Sequence, residues 1–163
     1  MFVQTDEPGG NRVIACDSHL HQVGAYATGG KGGVLGGAVA DHLGSQGSLT
    51  LDRGHHLLYA VNAGSNTITV FRARGARLTC LQVRGSGGEF PVSVTVHGHH
   101  VYVLNARGGG SIHGFRPRRV RVLRHGTSGR WISSSRALWM TAFGKWLDLA
   151  ANQRPPSGAW RGN

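Results

Sequence analysis

The stretch that decides the fold is LLYAVNAGSNTITVF at residues 57–71, because it returns as VYVLNARGGGSIHGF at residues 101–115. In both copies a Tyr precedes an Asn-Ala pair by three residues, and a Phe ends the copy. The Tyr, Asn and Ala positions are 43 residues apart, whereas the Phe positions are 44 apart, so the second copy carries one extra residue in its turn. Self-similarity at a fixed period of this length indicates a repeat protein.

Each copy predicts short β-strands joined by tight turns. Residues 57–61 and 67–71 are rich in β-branched and aromatic side chains, and the Gly-Ser-Asn run at 64–66 is typical of a hairpin turn. Further strands are predicted at 78–83 and 92–96. A fainter first copy opens the chain as FVQT followed by GGNRVIAC, which ends at Cys16.

Three or four strands in a unit of 43 residues are typical of a β-propeller blade, whose period is roughly 40–50 residues. We therefore predict an all-β fold, a partial β-propeller with two to three blades. Residues 1–115 contain no helical period, which argues against parallel βαβ units. A β-sandwich remains the alternative, because it has strands of the same length, but it does not explain the spaced repeat.

Four segments resemble the lactonase family of seven-bladed β-propellers: FVQTD at 2–6, YATGG at 26–30, SQGSLT at 45–50 and LYAVNAGSN at 58–66. This family includes the propeller-type 6-phosphogluconolactonases and proteins described as 3-carboxymuconate cyclases. The resemblance covers about residues 1–115. It implies a ring of blades around a channel, ligands at the channel mouth, and hydrolysis of a sugar or carboxy-lactone without a redox cofactor.

The family often has acidic residues beside the Asn of the blade motif, where this sequence has Ala63 and Ala106. This departure favours the alternative function, a non-catalytic propeller that binds a ligand or a protein. Whether the chain is an enzyme therefore stays open. If it is active, the implied partner is a small-molecule lactone.

Candidate site residues follow from the propeller prediction, because the loop before the innermost strand of each blade lines the channel mouth. One such loop carries His42, Gln46 and Ser48, and the next carries Glu89 and Ser93. His42 is the candidate general base and Glu89 the candidate acid or orienting carboxylate. The other three are candidate substrate-binding residues. Turn hydrogen bonds and caps are the structural alternative for all five.

The length of 163 residues is short for a complete ring, because seven blades need about 300 residues. A partial ring exposes the apolar flanks of its end blades. The chain is therefore expected to be a fragment, inactive in lactone hydrolysis by itself, or to associate with further copies through these flanks.

The net charge of +11 is concentrated at one end of the sequence. Residues 1–115 have a net charge of +2, whereas residues 116–163 have +9 and contain all four Trp. We predict two segments with a boundary at residue 115, and binding of nucleic acid by the blades is not expected. Within the second segment, a strand is predicted at 116–124 and a helix over about 136–151.

Three interpretations of this basic tail stay open. A shifted reading frame of a GC-rich gene would produce its Arg, Gly, Pro, Ser and Trp content. A basic arm with interleaved Trp would bind nucleic acid in a salt-dependent way. An amphipathic helix would cover the open flank of the last blade.

The remaining motifs predict no cofactor and no metal. His55-His56 and His99-His100 recur 44 residues apart, so repeated turn residues explain them better than a metal site does. The sequence has no phosphate-binding loop ending in Gly-Lys-Ser/Thr and no Gly-x-Ser-x-Gly nucleophile motif. No signal peptide and no long apolar run are recognised, so a cytoplasmic protein that does not contact membranes is the default expectation.

Overall fold

A computed structural model describes residues 1–34, 47–117 and 123–130, and these residues form β-strands and one 3-10 turn at Ala63–Ser65. The all-β prediction is confirmed. The strands of the described residues, in chain order, are β1 (Phe2–Gln4), β2 (Arg12–Cys16), β3 (Gln22–Ala27), β4 (Leu49–Asp52), β5 (Leu57–Asn62), β6 (Thr67–Arg74), β7 (Arg77–Gly85), β8 (Pro91–His97), β9 (His100–Asn105), β10 (Ser111–Pro117) and β11 (Leu123–Arg130).

Consecutive strands pair in antiparallel fashion to give three sheets without crossovers. Sheet 1 has the order β1-β2-β3, sheet 2 the order β4-β5-β6-β7, and sheet 3 contains β8 to β11 in sequence order. A series of short up-and-down meanders is the architecture of propeller blades. The prediction of two to three blades is confirmed, with sheets 2 and 3 as four-stranded units.

The pairing register explains the sequence repeat. Tyr59 on β5 lies opposite Thr50 on one side and Val70 on the other. Tyr102 on β9 lies in the same way between β8 and β10, opposite Thr95 and Gly114. The 43-residue period is therefore one blade, and its repeated Tyr stands at the same place in both four-stranded sheets.

The second strand of sheet 2 explains why the sequence around residue 57 is apolar without interruption. All six residues of β5 are buried. Its alternate side chains join two different cores: Leu57, Tyr59 and Val61 belong to the larger cluster with residues of sheet 3, whereas Leu58 and Ala60 belong to a smaller cluster with sheet 1. A strand covered on both faces reads as a continuous hydrophobic run.

Sheet 3 extends beyond the predicted boundary at residue 115. Strand β10 continues to Pro117, and β11 pairs with it to complete the four-stranded sheet. At the start of β11, the Leu123 N–H donates to Gln82 Oε1 at 2.8 Å, and its carbonyl accepts from Arg84 Nη1 at 2.8 Å. The blade structure therefore crosses the change in composition.

The strand predicted at 116–124 overlaps the ends of β10 and β11, but its central residues, 118–122, lie outside the described residues. The predicted helix over 136–151 and the rest of the tail from residue 131 onward also lie outside them. In the part of the chain that the structure describes, no helix is long and apolar enough to span a membrane.

Candidate functional site

The antiparallel meanders place alternate loops at opposite ends of the sheets. One end, here called the cleft end, carries the loops at residues 5–11, 28–34, 63–66, 86–90 and 106–110. The other, called the histidine end, carries the loops at residues 17–21, 53–56, 75–76 and 98–99. Each end therefore collects residues that are far apart in the sequence.

A cleft of about 280 Å³ opens at the cleft end. Loops of all three sheets line it. They contribute Pro8 between β1 and β2, Gly32, Gly33 and Val34 after β3, Ala63, Gly64 and Asn66 between β5 and β6, and Glu89 and Phe90 between sheets 2 and 3. Arg107, from the β9–β10 loop, completes the lining. The volume is close to the lower limit for small-molecule sites, which suits a ligand of few atoms.

Phe90 forms the apolar wall of this cleft in a strained conformation. Its φ is 57°, in the left-handed region that bulky residues rarely adopt, and the residue is only 3% exposed. Such a conformation costs about 1–3 kcal/mol and persists only where neighbours hold it. Here the Phe90 N–H donates to Asn66 Oδ1 at 2.7 Å. A side chain at Gly33 would collide with the Phe90 ring, because an added Cβ would lie 2.7 Å from it.

Arg107 supplies positive charge to the cleft. Its Cζ lies 4.3 Å from the centroid of the Phe90 ring, a cation–π contact, and its Nη2 donates to the Val34 carbonyl at 3.3 Å. Among the described residues, the ion pairs are limited to two between His and Asp at the histidine end. The Arg107 guanidinium is therefore not neutralised by a described carboxylate.

Glu89 lies beside Arg107 but not in an ion pair with it. The Glu89 carbonyl accepts the Arg107 N–H at 3.1 Å, so the two loops are joined through the backbone. The Glu89 side chain is exposed and passes near Gly108, where an added Cβ would be 3.4 Å from Oε2. The cleft thus presents a cation, a carboxylate and an aromatic face within one small opening.

The other predicted site residues lie elsewhere or are not described. Ser93 is buried in β8 at 2% exposure, and Ser48 is half-buried just before β4, where its carbonyl accepts the Val61 N–H. Neither lines the cleft. His42 and Gln46 lie outside the described residues. Of the five predicted residues, Glu89 alone is among those that the structure places in the cleft lining.

Arg107 was not among the site residues predicted from the sequence, although the repeat carries a signal for it. In the blade repeat, Arg107 follows the Asn-Ala pair at the position where the preceding copy has Gly64. The backbone N–H groups of the two residues make equivalent hydrogen bonds. That of Gly64 donates to the Lys31 carbonyl, and that of Arg107 donates to the Glu89 carbonyl. A charged residue in a turn position that is Gly in the other copy points to a role other than the turn itself.

Asp6 was also missed as a member of the repeat. The pairing of β1 with β2 matches that of β5 with β6, and in this register Asp6 takes the place of Ala63. It is 8% exposed, has a φ of 52°, and its N–H donates to Asn11 Oδ1 at 3.0 Å. The acidic residue that the resemblance leads one to expect beside the motif is therefore present in sheet 1.

Asparagine side chains hold sheets 1 and 2 together near the cleft. Asn11 Nδ2 donates to Asn62 Oδ1 at 2.9 Å and to the Val61 carbonyl at 3.0 Å. Asn62 Nδ2 in turn donates to the hydroxyls of Thr67 and Thr69. Because these polar groups are buried and satisfied, they fix the positions of the loops that carry them.

Two solved structures resemble this fold. A protein from Lactobacillus plantarum has a TM-score of 0.59 and 18% sequence identity, over 80% of this chain and 38% of its own. A functionally unknown protein from Desulfotomaculum acetoxidans has a TM-score of 0.53 and 17% identity, over 73% of this chain and 34% of its own. Identities this low indicate a shared fold alone.

The chain thus spans little more than a third of the length of these two structures. No protein-family model matches the sequence. No curated protein matches it either.

Proposed function

We propose that the chain is part of a β-propeller that binds a small anionic ligand in the cleft that loops of all three sheets line. The observation that carries this proposal is Arg107, whose guanidinium lies over the ring of Phe90 and meets no described carboxylate in an ion pair. A stacked guanidinium with free N–H groups suits the planar, bidentate binding of a carboxylate or phosphate.

The cleft is also supported by its rigidity. Phe90 is held by Asn66, the Arg107 backbone is bonded to that of Glu89, and Gly33 permits close approach of the loop that follows sheet 1. A site whose loops are fixed before the ligand arrives loses less entropy on binding. The fixed loops therefore support a ligand-binding module whose cleft is formed before the ligand arrives.

Lactone hydrolysis is the second candidate. It is supported by the resemblance to the lactonase family and by Glu89, a carboxylate in the cleft beside a cation that would stabilise an anionic transition state. The general base predicted for it, His42, lies outside the described residues. Because the chain spans only part of the similar structures, we expect hydrolysis from the longer protein rather than from this chain.

Calorimetric titration with D-gluconate tests the binding proposal. We expect Arg107→Gln to raise the Kd about tenfold or more, since a hydrogen bond to a charged group contributes about 1.5–3 kcal/mol. The matched control is Arg77→Gln, which removes the same charge from the exposed first residue of β7, at the histidine end. Equal effects of the two substitutions, or unchanged binding by Arg107→Gln, would contradict a cleft site.

Proton release from D-glucono-1,5-lactone tests the second candidate. If the protein hydrolyses the lactone, Glu89→Gln should lower kcat about 100-fold, the usual size of a general acid–base contribution. Asp17→Asn, an exposed carboxylate change at the opposite end, should leave kcat unchanged. Because hydrolysis is expected of the longer protein, the assay is made on that protein. Gluconate binding by it without turnover would support the binding module and contradict the hydrolase.

A further inference from the structure

The histidine end collects more imidazoles than the blade fold requires. Most of them lie in or next to the turns between strands. Those at this end are His19, His21, His55, His56, His97, His99 and His100. The repeat explains why they recur, but it does not explain the contact that two of them make between sheets.

His55 is held in one orientation by a carboxylate. Its Nδ1 lies 2.7 Å from Asp52 Oδ2, and its backbone N–H donates to Asp52 Oδ1 at 3.1 Å. The Asp52 side chain is 11% exposed, whereas that of His55 is 45% exposed. A carboxylate on one ring nitrogen fixes the tautomer and leaves the other nitrogen able to accept, which is how carboxylates support metal-binding histidines.

His99 comes from the next sheet and lies beside His55. It stands in the tight turn between β8 and β9, and its ring centroid is 5.7 Å from that of His55, with the planes tilted by 59°. Two imidazoles that share one ion through bonds of about 2.0–2.1 Å have centroids about 5 Å apart at a tetrahedral angle. His99 is exposed, so rotation of its side chain closes the remaining difference while His55 keeps its bond to Asp52.

We propose that His55 and His99 together bind one divalent transition-metal ion, with Asp52 orienting His55 and water completing the coordination. Among the described residues, no three or more His, Cys, Asp or Glu side chains are grouped to hold an ion, so the site has two protein ligands. Imidazole nitrogens bind Cu²⁺, Ni²⁺ and Zn²⁺, and Cu²⁺ is expected to bind most tightly of the three. Mg²⁺ and Ca²⁺ prefer oxygen ligands instead.

The neighbouring histidine, His100, already accepts a hydrogen bond from another side chain. His100 Nε2 accepts from Arg116 Nε at 3.3 Å, and its ring stacks on Tyr102 at 6.0 Å. Because this nitrogen already accepts a hydrogen bond, His100 is not a ligand of the proposed site.

The first sheet provides a matched comparison. His19 and His21 have ring centroids 6.1 Å apart, and His21 Nδ1 lies 3.5 Å from Asp17 Oδ2. The carboxylate contact is longer than that of His55, and the His21 side chain is 79% exposed. This pair has the same residue types without the close carboxylate support, and so it serves as the control.

Titration of the full chain with Cu²⁺, followed by calorimetry and electron paramagnetic resonance, tests the proposal. We expect one tightest site whose spectrum shows coupling to two imidazole nitrogens. His55→Asn or His99→Asn should weaken this site at least tenfold and leave coupling to one nitrogen. Asp52→Asn should weaken it about tenfold, the lower limit for loss of a carboxylate behind a metal-binding His. His21→Asn should leave it unchanged.

The proposal is wrong if both His55→Asn and His99→Asn retain the affinity and two-nitrogen spectrum of the original chain, or if only one of them changes either. A measurement without variants covers the case in which a substitution prevents folding. Diethyl pyrocarbonate modifies accessible imidazoles, and Zn²⁺ should protect His55 and His99 but not His19 or His21. Equal modification of all four with and without Zn²⁺ would overturn the site.

Discussion

Sheets 1 and 2 meet at one junction, and sheets 2 and 3 meet at another. The two junctions use the same repeat positions but differ in the balance of polar and apolar contacts that hold them. At the first, Asn11, Asn62 and Thr69 form buried side-chain hydrogen bonds, and the Thr69 hydroxyl donates to the Thr28 carbonyl at 2.7 Å. At the second, the corresponding positions are Asn105 and His113, and the larger apolar cluster fills the space between the sheets.

The difference lies in how specific each junction is. Buried polar groups require their own partners, so the first junction has one satisfied arrangement. The second junction combines a larger apolar cluster, whose contacts are non-directional, with separate hydrogen bonds such as that from the Thr50 hydroxyl to the Val94 carbonyl at 2.7 Å. The candidate cleft opens where loops of all three sheets meet. The loop containing Phe90 is positioned there by the bond from its N–H to Asn66 Oδ1 and by backbone bonds from Ala106 and Arg107.

The largest expected effect tests what the junctions share. Phe71 belongs to the core of the first junction and Phe115 to that of the second, and each is 1% exposed. Replacing either by Ala removes a buried ring and leaves a cavity. We expect Phe71→Ala and Phe115→Ala each to lower the free energy of unfolding by about 3–5 kcal/mol in urea titrations.

Val23→Ala serves as the control for these substitutions, because Val23 is 53% exposed and its truncation should cost less than about 1 kcal/mol. If Phe115→Ala cost no more than this control, sheet 3 would not be packed on sheet 2 in the way described, and the comparison of the two junctions would fail.

A smaller effect should separate the junctions. Asn62 exchanges side-chain bonds with Asn11, Thr67 and Thr69, whereas the hydrogen bond described for the Asn105 side chain is one of 3.3 Å to the Ser111 hydroxyl. Asn62→Ala leaves buried partners unsatisfied and should cost about 2–3 kcal/mol. Asn105→Ala should cost about 1 kcal/mol or less, measured in the same titrations. Equal costs would mean that the polar network contributes nothing beyond the repeat.

The repeat itself was predictable from the sequence because its signals are local. The spacing of the Tyr and Asn positions gave the blade period, and the Gly-Ser-Asn run marked the turn, where Asn66 adopts a φ of 55°. The fold class and strands β5 to β10 followed from these features and from the β-branched and aromatic runs. The contacts that hold the sheets together at each junction were not predicted. Thr69 and His113 occupy equivalent positions of the repeat but differ in chemistry, so the repeat does not determine which bonds they make.

Two features were hidden for physical reasons. Strand β11 contains Gly126, Ser128 and Gly129, which have low strand propensity, and its pairing with β10 outweighs that preference. The cleft brings Gly33, Phe90 and Arg107 together from three loops, a proximity that depends on the packing of one sheet on another. Periodicity within single strands carries no information about it.

A buried hydroxyl at the second junction should give a stabilising substitution. Tyr59 is fully buried, and its hydroxyl has no hydrogen-bond partner among the described residues. Burial, followed by the charge of Asp52, raises the pKa of Tyr59, so the group stays neutral and pays for desolvation without a compensating bond. Tyr59→Phe should raise the free energy of unfolding by about 0.5–1 kcal/mol.

Tyr26 gives the opposite case at the first junction. Its hydroxyl donates to the Ala76 carbonyl at 3.2 Å, so Tyr26→Phe should lower the free energy of unfolding by about 0.5–1.5 kcal/mol. The two substitutions remove the same atom, and thermal unfolding should show shifts of opposite sign. A loss of stability in Tyr59→Phe would show that its hydroxyl has a partner beyond the described residues.

The smallest expected effect is on how stability depends on pH, through His100 at the histidine end of sheet 3. Burial first, then the charges of Arg116, His99 and His97, lower the pKa of His100 in the folded chain. The unfolded chain then takes up a proton near pH 6.5 that the folded chain refuses until lower pH, so this group's contribution is intact above pH 6.5 and is lost as pH falls below it. Because His100 is largely solvent-screened, His100→Gln should only slightly reduce the fall of the urea midpoint between pH 7 and pH 5. A steeper fall in His100→Gln would reverse the assigned direction.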